Sequence, residues 1–559
     1  MKLSGADIIV RTLIEQGCET VFGYPGGQIL NVYDSLYKYQ NEITHILTAH
    51  EQGAAHAADG YARTTGKVGV VISTSGPGAT NLVTGIATAY LDSIPMVAIC
   101  GNVPTTQIGS DSFQEIDITG VTLPITKHNY FVGEVENLAD TIREAFVLAK
   151  SGRPGPVLID VPKDVQIAMC EYETKPPAKK EKSHAAKDIR IDEAAKLINS
   201  SNRPFIYFGG GLIAADAQEE MLALAEKIDA PVGCSLMGLS AIPTDNPRFL
   251  GMQGMHGHYA SSMAMHNSDC IISLGVRFND RVTGNRQKFA TGAKIIHIDV
   301  DGSELCKTVN AACGLRGDVK LTLEKLLPLL NEDKKPEWSA KVADFRKSEE
   351  RFTDNRDGLT PRNAILTLNK YLGENTAVCT DVGQHQMWSA QNLEFRTPRR
   401  FVSSGGLGTM GFGTGAAIGA AFGTKERSVL VTGDGSFGMT LQELATAVTY
   451  NVPLVILIMN NGVLGMVRQW QTLFFNKHYS NTNLERKTDF VKLAEAFGAK
   501  GYRVATPEEF KKVFTEAFSY DGPVLIDCAI DKDEFVLPML PPGGSIDEMI
   551  TDVGGKCDE

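Results

Sequence analysis

The feature that most limits the possible folds is an internal repeat. Residues 68–102 read as an apolar strand, a Gly-rich turn, a helix and a second apolar strand that ends in Asn, and residues 428–461 follow the same order. Further on, the six letters GPVLID occur at 155–160 and, unchanged, at 522–527. A unit that recurs at matching places indicates two copies of one domain, with a third domain between them.

Each third of the 559-residue chain alternates β-branched runs, such as VGVVIS, KIIHIDV and PLVILIM, with helical patterns. This alternation is typical of βαβ units on a parallel sheet. We therefore predict an α/β protein with three domains, each a parallel sheet flanked by helices. The predicted domains are 1–170, 189–332 and 360–540, with a tail at 541–559. The charged stretches 171–188 and 331–360 are predicted as linkers.

Composition excludes several classes of function. The chain has 54 Lys and Arg against 66 Asp and Glu, a net charge of -12, which gives no basic surface for a nucleic acid. No run approaches about 18 consecutive apolar residues, so we expect no membrane span. The first residues, MKLSGADIIVRTLIEQG, read as an amphipathic helix rather than a signal peptide. The ten cysteines are dispersed without a CxxC pair, so we expect reduced thiols and a cytoplasmic protein.

A candidate metal site lies in the last third. The strand VLVTGDG contains Asp434, TLQELATAVTY is the predicted helix after it, and the next strand, PLVILIM, leads to Asn461. Parallel strands of one βαβ unit end at the same edge of the sheet, so these two side chains can meet. A carboxylate, an amide oxygen and a backbone carbonyl near Val463 suit Mg²⁺, with diphosphate oxygens completing the shell. Gly433 and Gly435 would bring backbone amides close to phosphate.

A GDG turn followed by NN about thirty residues later, with a helix and a strand between them, resembles the signature of thiamine diphosphate enzymes. The resemblance implies a duplicated thiamine diphosphate-binding fold. It also implies a Glu in the first copy that hydrogen-bonds to the aminopyrimidine ring and favours the tautomer that activates the cofactor. Glu51, in TAHEQGAAHAADGYAR, matches by position and context. Met410 is the first candidate, and Met439 the second, for the apolar wedge that bends the cofactor. The residues implied at the diphosphate are Gln384, His385, Gly433, Gly435 and Ser436.

Further motifs narrow the family. GYPGGQIL, GSDSFQEID, SGRPGPVLIDVPKD, GVRFNDRVTG, GQHQMW and NNGVLGMVRQWQ, in this order along the chain, resemble the catalytic subunits of the acetohydroxyacid synthase (acetolactate synthase) family. The resemblance extends from about residue 3 to residue 550. It implies decarboxylation of pyruvate and ligation of the remaining two carbons to a second pyruvate or to 2-ketobutyrate. This reaction begins branched-chain amino-acid biosynthesis.

Carried over to this sequence, the resemblance places Arg281 on the carboxylate of the second 2-keto acid, in a bidentate contact that Lys cannot copy. Trp470 would shape the acceptor pocket. The residues implied along the channel to the reacting carbon are Gly26, Gly27, Phe113, Gln114, Lys163 and Met466. Among these, Gln114 and Lys163 join Glu51 and Arg281 as implied catalytic residues.

The resemblance also implies an FAD, retained without a redox role, in a Rossmann-like central domain. There FIYFGGG runs from a strand into a Gly turn before a helix, which suits a nucleotide phosphate although it is no GxGxxG. The residues implied around the flavin are Arg153, Gly209, Gly210, Gly211, Ser235, Leu236, Met237, His256, Gly275, Arg277, Asp299, Val300 and Asp318. Ser235 stands where Thr is common, which preserves a hydroxyl. Asn279 stands where an Asp often precedes Asp280, which removes a charge beside the pocket and leaves substrate preference open. A central domain that has lost its flavin is the alternative.

Three other functions stay open on the sequence alone. A pyruvate oxidase would use the same two organic cofactors but pass electrons to the flavin, a simple decarboxylase would release an aldehyde, and an inactive binding protein would catalyse nothing. Arg281 and Trp470 disfavour the decarboxylase, and Glu51, Asp434 and Asn461 disfavour the inactive protein. Because Glu51 and Asp434 lie in different domains and the family builds its sites between chains, we expect a homodimer or homotetramer. A small regulatory subunit is a further candidate partner.

Overall fold

The computed structural model describes residues 1–177, 183–352, 354 and 356–552. The middle of the first predicted linker, two residues of the second, and the end of the tail with Cys557 lie outside the described residues. The described chain forms three α/β domains, each built on one six-stranded parallel sheet. This confirms the predicted fold class of three domains with parallel sheets.

The first domain contains one parallel sheet and a short antiparallel pair, β1 with β8, which ties the amino terminus to the end of the domain. Its strands are β1 (Lys2–Ser4), β2 (Thr20–Gly23), β3 (Thr44–Leu47), β4 (Gly69–Ser73), β5 (Met96–Asn102), β6 (His128–Phe131), β7 (Pro156–Pro162) and β8 (Met169–Glu171). Its helices are α1 (Gly5–Glu15), α2 (Leu30–Lys38), α3 (Glu51–Thr65), α4 (Pro77–Asn81), α5 (Val83–Asp92), α6 (Ile118–Thr122), α7 (Leu138–Lys150) and α8 (Lys163–Ile167).

The central domain follows the same layered plan. Its strands are β9 (Pro204–Phe208), β10 (Val232–Cys234), β11 (Phe249–Met252), β12 (Cys270–Leu274), β13 (Lys294–Asp299) and β14 (Cys313–Arg316). Its helices are α9 (Asp188–Asn199), α10 (Gly210–Ala215), α11 (Gln218–Lys227), α12 (Tyr259–Asn267), α13 (Asp280–Thr283), α14 (Val319–Leu326) and α15 (Pro336–Glu349).

The third domain completes the chain. Its strands are β15 (Ala377–Thr380), β16 (Phe401–Ser403), β17 (Ser428–Gly433), β18 (Leu454–Asn460), β19 (Lys500–Val504) and β20 (Val524–Ala529). Its helices are α16 (Pro361–Asn369), α17 (Gln384–Asn392), α18 (Phe412–Thr424), α19 (Asp434–Thr440), α20 (Leu444–Thr449), α21 (Gly465–Phe474), α22 (Phe490–Phe497) and α23 (Pro507–Ser519).

The strand orders separate the three domains into two kinds. The first sheet runs β3-β2-β4-β5-β7-β6 and the third runs β16-β15-β17-β18-β20-β19. If each sheet is numbered from its own first strand, both orders are 2-1-3-4-6-5, so the two outer domains are copies of one fold. The central sheet runs β11-β10-β9-β12-β13-β14, which is 3-2-1-4-5-6, the doubly wound order of dinucleotide-binding folds.

The sheets form because their strands are apolar on both faces. Val70 and Ile72 of β4 point to one layer of the core, whereas Val71 between them points to the opposite layer. A strand that is covered on both sides needs a continuous apolar run rather than an alternating one. The helices supply that cover; α1, for example, is capped by Ser4, which accepts the Asp7 N–H, and buries Ile9 and Leu13.

The two outer domains contact each other through equivalent helices. α3 precedes β4 and α18 precedes β17, each the third strand of its parallel sheet along the chain, and the two helices pack together. A side chain at Gly60 would collide with Ala416, and one at Gly419 would collide with Ala57. Glycine is therefore needed on both helices for this close approach.

Two segments differ from the sequence-based expectation. The predicted linker 331–360 contains α15, which buries Trp338 and Val342 against the central domain. The helix predicted at TLQELATAVTY instead begins at Asp434, directly after β17, and is interrupted by a 3₁₀ turn at Leu441–Glu443 before α20. Asp434 therefore occupies the first turn of a helix rather than a separate turn.

Two general properties of the described residues bear on function. None of the described helices combines the length and the apolarity that a bilayer crossing requires. The nine described cysteines are free thiols, and seven of them are buried.

Candidate active site

Polar residues of the third domain gather at the carboxyl edge of its sheet. Gly383 and Gln384 follow β15, Asp434 follows β17, and Asn461 follows β18. Asn461 Nδ2 donates to Gln384 Oε1 at 3.3 Å, and Asn461 Oδ1 accepts the Val463 N–H at 3.2 Å. Of the three predicted metal ligands, the structure therefore places Asp434 and Asn461 at the ends of neighbouring strands, with Val463 two residues beyond Asn461.

Asp434 is a buried carboxyl group whose ionised form a nearby cation would stabilise. It is 8% exposed, and burial raises its pKa to about 6, while the backbone N–H groups of Gly435 and Asn461 act in the opposite direction. A divalent cation would hold this carboxylate in its ionised form. The described part of the chain contains no group of three His, Cys, Asp or Glu arranged for a metal, so a cation here would need amide, carbonyl and ligand oxygens as well.

The glycine turn beside Asp434 leaves room for backbone only. A side chain at Gly433 would lie 3.0 Å from His385 Nδ1, and a side chain at Gly435 would lie 2.9 Å from Leu464 Cδ2. Burial lowers the pKa of His385 to about 3, so its ring is neutral. Within the described residues, the buried His385 Nε2 has no hydrogen-bond partner. An unpartnered polar atom next to bare backbone fits a polar ligand such as a diphosphate.

Other predicted residues of the third domain hold this cluster together. Gln384 Nε2 donates to Gln469 Oε1 at 3.0 Å and to the Glu534 carbonyl at 2.6 Å. Ser436 Oγ donates to the Val382 carbonyl at 2.9 Å. The side chains of Gln384 and Ser436 are thus already engaged and can position the turn rather than bind a ligand freely.

The three methionines that the sequence singles out lie in different surroundings. Met410 is half-buried, and its Cε lies 3.8 Å from the position of a Cβ at Gly435. Met439 is 54% exposed. Met466, on the first turn of α21, packs against the core of the third domain. Of the two wedge candidates, Met410 is therefore the one that borders the glycine turn.

A second polar cluster surrounds Glu51 in the first domain. Glu51 is the first residue of α3 and is 8% exposed. Its Oε2 accepts a hydrogen bond from Asn81 Nδ2 at 2.9 Å, and a side chain at Gly78 would lie 3.2 Å from its Oε1. Thr74 contacts both Gly78 and Gly26, which connects the predicted Gly26 turn to the Glu51 carboxyl group.

The remaining predicted residues of the first domain border the same edge. Lys163 Nζ donates to the Gly27 carbonyl at 3.2 Å. Gln114 has a positive φ of 63°, and a side chain at Gly76 would lie 2.9 Å from its Cβ. Phe113 is 83% exposed. The structure brings Gly26, Gly27, Glu51, Gln114 and Lys163 to one edge of the sheet and leaves Phe113 at the surface of the single chain.

The third domain also contacts the start of α3. Glu443 Oε2 accepts the Ala49 N–H at 3.2 Å and the Thr446 hydroxyl at 2.7 Å, and a side chain at Gly53 would collide with Glu443. Burial raises the pKa of Glu443. Across the described residues of one chain, no hydrogen bond joins the Glu51 cluster to the Asp434 cluster.

Arg281 and Trp470 meet at the boundary between the central and third domains. The Arg281 guanidinium carbon lies 5.7 Å from the centroid of the Trp470 ring, within the range of a cation–π contact. Its contact with Asp280 is long, at 3.9 Å, and both side chains are more than half exposed. Asn279 Oδ1 accepts the Arg281 N–H at 2.8 Å and caps the short helix. The guanidinium is therefore held beside the indole rather than in a strong ion pair.

The glycines predicted around the flavin come together in the central domain. A side chain at Gly211 would lie 2.5 Å from Gly275 Cα, and Gly275 itself has a φ of 57°. A side chain at Gly209 would lie 2.6 Å from the Gly275 carbonyl oxygen and 3.2 Å from Ser235 Oγ. The carboxyl ends of β9, β10 and β12 thus form one narrow backbone cradle, which a Cβ would fill.

Four of the residues predicted around the flavin are titratable groups in half-buried or buried positions. Arg277 is half-buried, and burial lowers its pKa. Burial raises the pKa of Asp299 to about 6. It lowers the pKa of His256 to about 4, and His256 Nδ1 has no partner in the described residues. Arg153 pairs with Glu304 at 3.0 Å.

Two further residues predicted around the flavin follow neighbouring strands. Asp318 follows β14 and caps α14 by accepting the Leu321 N–H at 3.2 Å. Val300 is half-buried directly after β13.

Comparison with protein-family models covers all three domains. Residues 3–121 match the thiamine pyrophosphate enzyme N-terminal TPP-binding domain, residues 191–326 match the central domain, and residues 381–528 match the C-terminal TPP-binding domain. The two TPP-binding matches coincide with the two copies of the repeated fold.

Known proteins similar over nearly their full length narrow the family further. The chain is 47% identical to a probable acetolactate synthase large subunit of Methanocaldococcus jannaschii, with 98% of this chain and 95% of that protein covered. It is 43% identical to the acetolactate synthase large subunit of Haemophilus influenzae, with 98% of each covered. It is 41% identical to the acetolactate synthase isozyme 3 large subunit of Escherichia coli, again with 98% of each covered. The chain belongs to the acetolactate synthase large-subunit family.

Membership of the acetolactate synthase large-subunit family confirms the resemblance seen in the motifs, and thiamine diphosphate is the cofactor that the two matching domains bind. The structure adds residues that the motifs did not reveal. Asn81 holds Glu51, Thr74 links Glu51 to Gly26, and Glu443 contacts the start of α3. Asn81 is the last residue of the short helix α4, where an Asn is not unusual, so it carries no signal in the sequence. Thr74 and Glu443 act through tertiary contacts and carry none.

Proposed function

We propose that this chain is the catalytic large subunit of an acetolactate synthase. It decarboxylates pyruvate and joins the remaining two carbons to a second 2-keto acid, which gives 2-acetolactate from pyruvate or 2-aceto-2-hydroxybutyrate from 2-ketobutyrate. The observation that carries the proposal is the pair of duplicated domains, one with a buried Glu and the other with an Asp–Asn cradle, in a chain similar to acetolactate synthase large subunits throughout. The reaction would open branched-chain amino-acid biosynthesis. The free, mostly buried thiols suit the reducing cytoplasm.

The third-domain cluster fits the diphosphate end of the cofactor. Asp434, the Asn461 amide oxygen and the Val463 carbonyl would hold Mg²⁺, and Gly433, Gly435, Ser436 and Gln384 would shape the turn around the phosphates. The unpartnered His385 nitrogen supports a polar ligand there. Met410, beside Gly435, would support the bend between the two rings. Bound in this way, thiamine diphosphate supplies the electron sink for decarboxylation.

Glu51 has one role toward this cofactor. Its carboxyl group would share a proton with the aminopyrimidine ring, and Asn81 holds it in place for that contact. Because no hydrogen bond joins the Glu51 cluster to the Asp434 cluster within one described chain, we assign each active site to two copies of the chain. One chain would supply Glu51 and the other Asp434. This arrangement needs at least a homodimer, and a homotetramer would contain two such pairs. Since the relatives are named large subunits, a small regulatory subunit is the further partner we propose.

The acceptor keto acid would bind beside Trp470. Arg281 would hold its carboxylate through two parallel hydrogen bonds, and the indole would shape the apolar side of the pocket. The residues that would line the approach to the reacting carbon are Gly26, Gly27, Phe113, Gln114, Lys163 and Met466. Phe113 is exposed in the single chain, so it would enter such a channel only when a second copy covers it.

The central domain fits an FAD. Its 3-2-1-4-5-6 strand order supports dinucleotide binding at the carboxyl edge, and the cradle at Gly209, Gly211 and Gly275 leaves room for backbone only. The residues that would surround the flavin are Arg153, Gly210, Ser235, Leu236, Met237, His256, Arg277, Asp299, Val300 and Asp318. The flavin would act as a structural cofactor in the ligation.

Product analysis tests this function against a pyruvate oxidase. The purified protein with thiamine diphosphate, Mg²⁺ and FAD should form acetolactate from pyruvate, and a mixed product when 2-ketobutyrate is added, without matching oxygen or quinone uptake. Electron transfer to the flavin at the rate of carbon dioxide release would overturn the proposal.

Arg281→Lys should raise the KM for the acceptor about tenfold or more, since Lys loses the bidentate contact, while the exposed neighbour variant Arg286→Lys serves as the control.

A further inference from the structure

One loop of the third domain is held between the other two domains. The loop 404–411 includes Gly405 and Gly406, whose N–H groups donate to the two carboxylate oxygens of Asp92 at 3.0 Å and 2.7 Å. Asp92 is the last residue of α5 in the first domain. On its other side, the loop contacts the central domain, because a side chain at Gly405 would collide with Met237.

Asp92 is itself firmly placed. Its side chain is fully buried and pairs with Arg63 at 2.9 Å. Arg63 also pairs with Asp59 and donates to the Ser403 carbonyl at 2.9 Å, directly before the loop. Two carboxylates and one guanidinium in a dry interior form a rigid group as long as each member keeps its partners. The first domain therefore offers the loop a fixed pair of acceptors.

Met237, which contacts the loop, also lies beside the nucleotide cradle of the central domain. Met237 follows β10 by three residues, and its Cβ lies 3.4 Å from the position of a Cβ at Gly210. Gly210 belongs to the turn at which the proposed flavin would bind. Met237 thus separates this turn from Gly405, and it contacts both.

The far end of the loop reaches the thiamine diphosphate site. Thr409 Oγ1 and Thr88 Oγ1 are hydrogen-bonded at 2.8 Å, and the Gly411 N–H donates to Asp381 Oδ1 at 2.7 Å. Between them, Met410 lies beside Gly435. Only four residues therefore separate Gly405, which contacts Met237, from Met410, which borders the glycine turn.

We propose that Asp92 and Met237 form a three-domain junction through which an occupied nucleotide cradle orders the loop 404–411 and so favours thiamine diphosphate binding. Asp92 and Met237 act here as positioning residues. The loop contains four glycines, which are costly to order. A dinucleotide that holds Met237 in place would remove part of this cost before the second cofactor binds. The inference rests on the proposed function. In it, the flavin has no redox role but helps to order the loop 404–411.

Thermodynamic linkage tests the junction. The Kd of thiamine diphosphate, with Mg²⁺ present, is measured by protein fluorescence with and without saturating FAD. In the wild type, FAD should tighten binding about tenfold, and thiamine diphosphate should tighten FAD binding by the same factor, because coupling is reciprocal. In Asp92→Asn, that factor should fall below about twofold while each cofactor alone still binds. Asp269→Asn, which alters a carboxylate that also accepts two backbone N–H groups but lies elsewhere in the central domain, should keep the full factor.

Amide hydrogen exchange tests the same idea without an affinity measurement. FAD alone should slow exchange across 404–411 about tenfold or more, and Gly405→Ala should abolish this protection. A coupling factor of one when both cofactors bind, or an unchanged factor in Asp92→Asn, would overturn the junction and leave the proposed reaction standing. Failure of FAD to bind the wild type would overturn the flavin assignment, and the junction with it.

Discussion

The first and third domains have the same strand order, yet the helices that follow equivalent strands begin with different residues. After β4 the helix begins at Pro77, whereas after β17 it begins at Asp434. After the edge strand β3 the helix begins at Glu51, whereas after β16 it begins at Phe412. The proposed acid and the proposed metal ligand each occupy a place where the other domain has an apolar residue. Duplication kept the backbone, and single residues at helix starts gave each copy its own chemistry.

A second comparison concerns a polar pair that both copies retain. In the first domain Asn102 Nδ2 donates to Asp160 at 2.7 Å, and in the third Asn460 Nδ2 donates to Asp527 at 2.8 Å. Both pairs join equivalent strands, β5 to β7 in the first domain and β18 to β20 in the third. The pair is therefore a property of the scaffold rather than of either site.

The surroundings of the pair differ between the copies. Asp527 lies opposite Arg503 in the ladder and accepts its Nε at 3.0 Å, whereas Asp160 lies opposite Phe131. Asp160 Oδ1 is buried without a partner in the described chain, and burial raises the pKa of this carboxyl group to about 7. The equivalent Asp is thus ion-paired in the third domain, whereas in the first domain one of its carboxylate oxygens has no partner among the described residues.

The largest expected effect comes from Glu51→Gln. The amide keeps the contact with Asn81 but cannot share a proton, so kcat should fall about 10³-fold, while the Kd of thiamine diphosphate stays within about threefold. Acetolactate formation and fluorescence titration measure the two quantities, with the surface variant Glu42→Gln as the control. A kcat within tenfold of the wild type would remove Glu51 from the site.

Asp434→Asn should show the complementary pattern. The loss of the Asp434 carboxylate should raise the Kd of Mg²⁺ about 10²-fold, because an amide is a poor substitute for a charged oxygen ligand. Part of the activity should return at high Mg²⁺. Calorimetric titration measures the affinity, with Asp489→Asn, a half-buried helix-capping Asp away from the cradle, as the matched variant. If Asp434→Asn lost kcat without any change in Mg²⁺ affinity, the assignment of Mg²⁺ binding to Asp434 of the third domain would be wrong.

Asp160→Asn should change stability with pH. Because the folded-state pKa of Asp160 lies above the unfolded value, its ionisation costs stability, which declines as pH rises from about 4 to about 7 and stays low above that. The Asn variant lacks this decline, so it should exceed the wild type by about 2 kcal/mol at pH 8 and by much less at pH 5. Thermal unfolding at both pH values measures the difference. Asp527→Asn should instead lose stability at pH 8, and an equal loss in both variants would contradict the comparison.

Phe131→Arg should have the smallest effect. It would place a guanidinium opposite Asp160, as Arg503 stands opposite Asp527, and should stabilise the first domain at pH 8 by about 0.5–1 kcal/mol. Phe131→Gln, which removes the ring without adding charge, is the control. A gain of equal size in the Gln variant would show that the exposed phenyl ring, rather than the missing charge, limits stability.

The sequence predicts the architecture better than the contacts between its parts. The repeat and the apolar runs predict two similar parallel-sheet domains because strand and helix patterns are local. The helix α15 is missed, since Trp338 and Val342 are its only two buried residues, too few for an apolar stripe within a charged segment. The start of α19 at Asp434 is missed because tertiary packing overrides the low helix propensity of glycine.

In the candidate site too, local sequence patterns predict more than tertiary contacts do. The strand ends predict that Asp434 and Asn461 meet, and the structure places them together. Asn81, Glu443 and Asp92 could not be predicted, because each acts on a segment that is distant in the chain or belongs to another domain.

Mixing two defective chains tests the central claim most directly. Glu51→Gln and Asp434→Asn chains are each expected to be nearly inactive. If every site takes Glu51 from one copy and Asp434 from the other, a mixed dimer contains one site with both defects and one site with none, so an equal statistical mixture should regain about a quarter of wild-type acetolactate formation. Recovery near that level supports two copies of one fold acting on the two ends of one cofactor. A co-expressed mixture no more active than its two components would contradict the account.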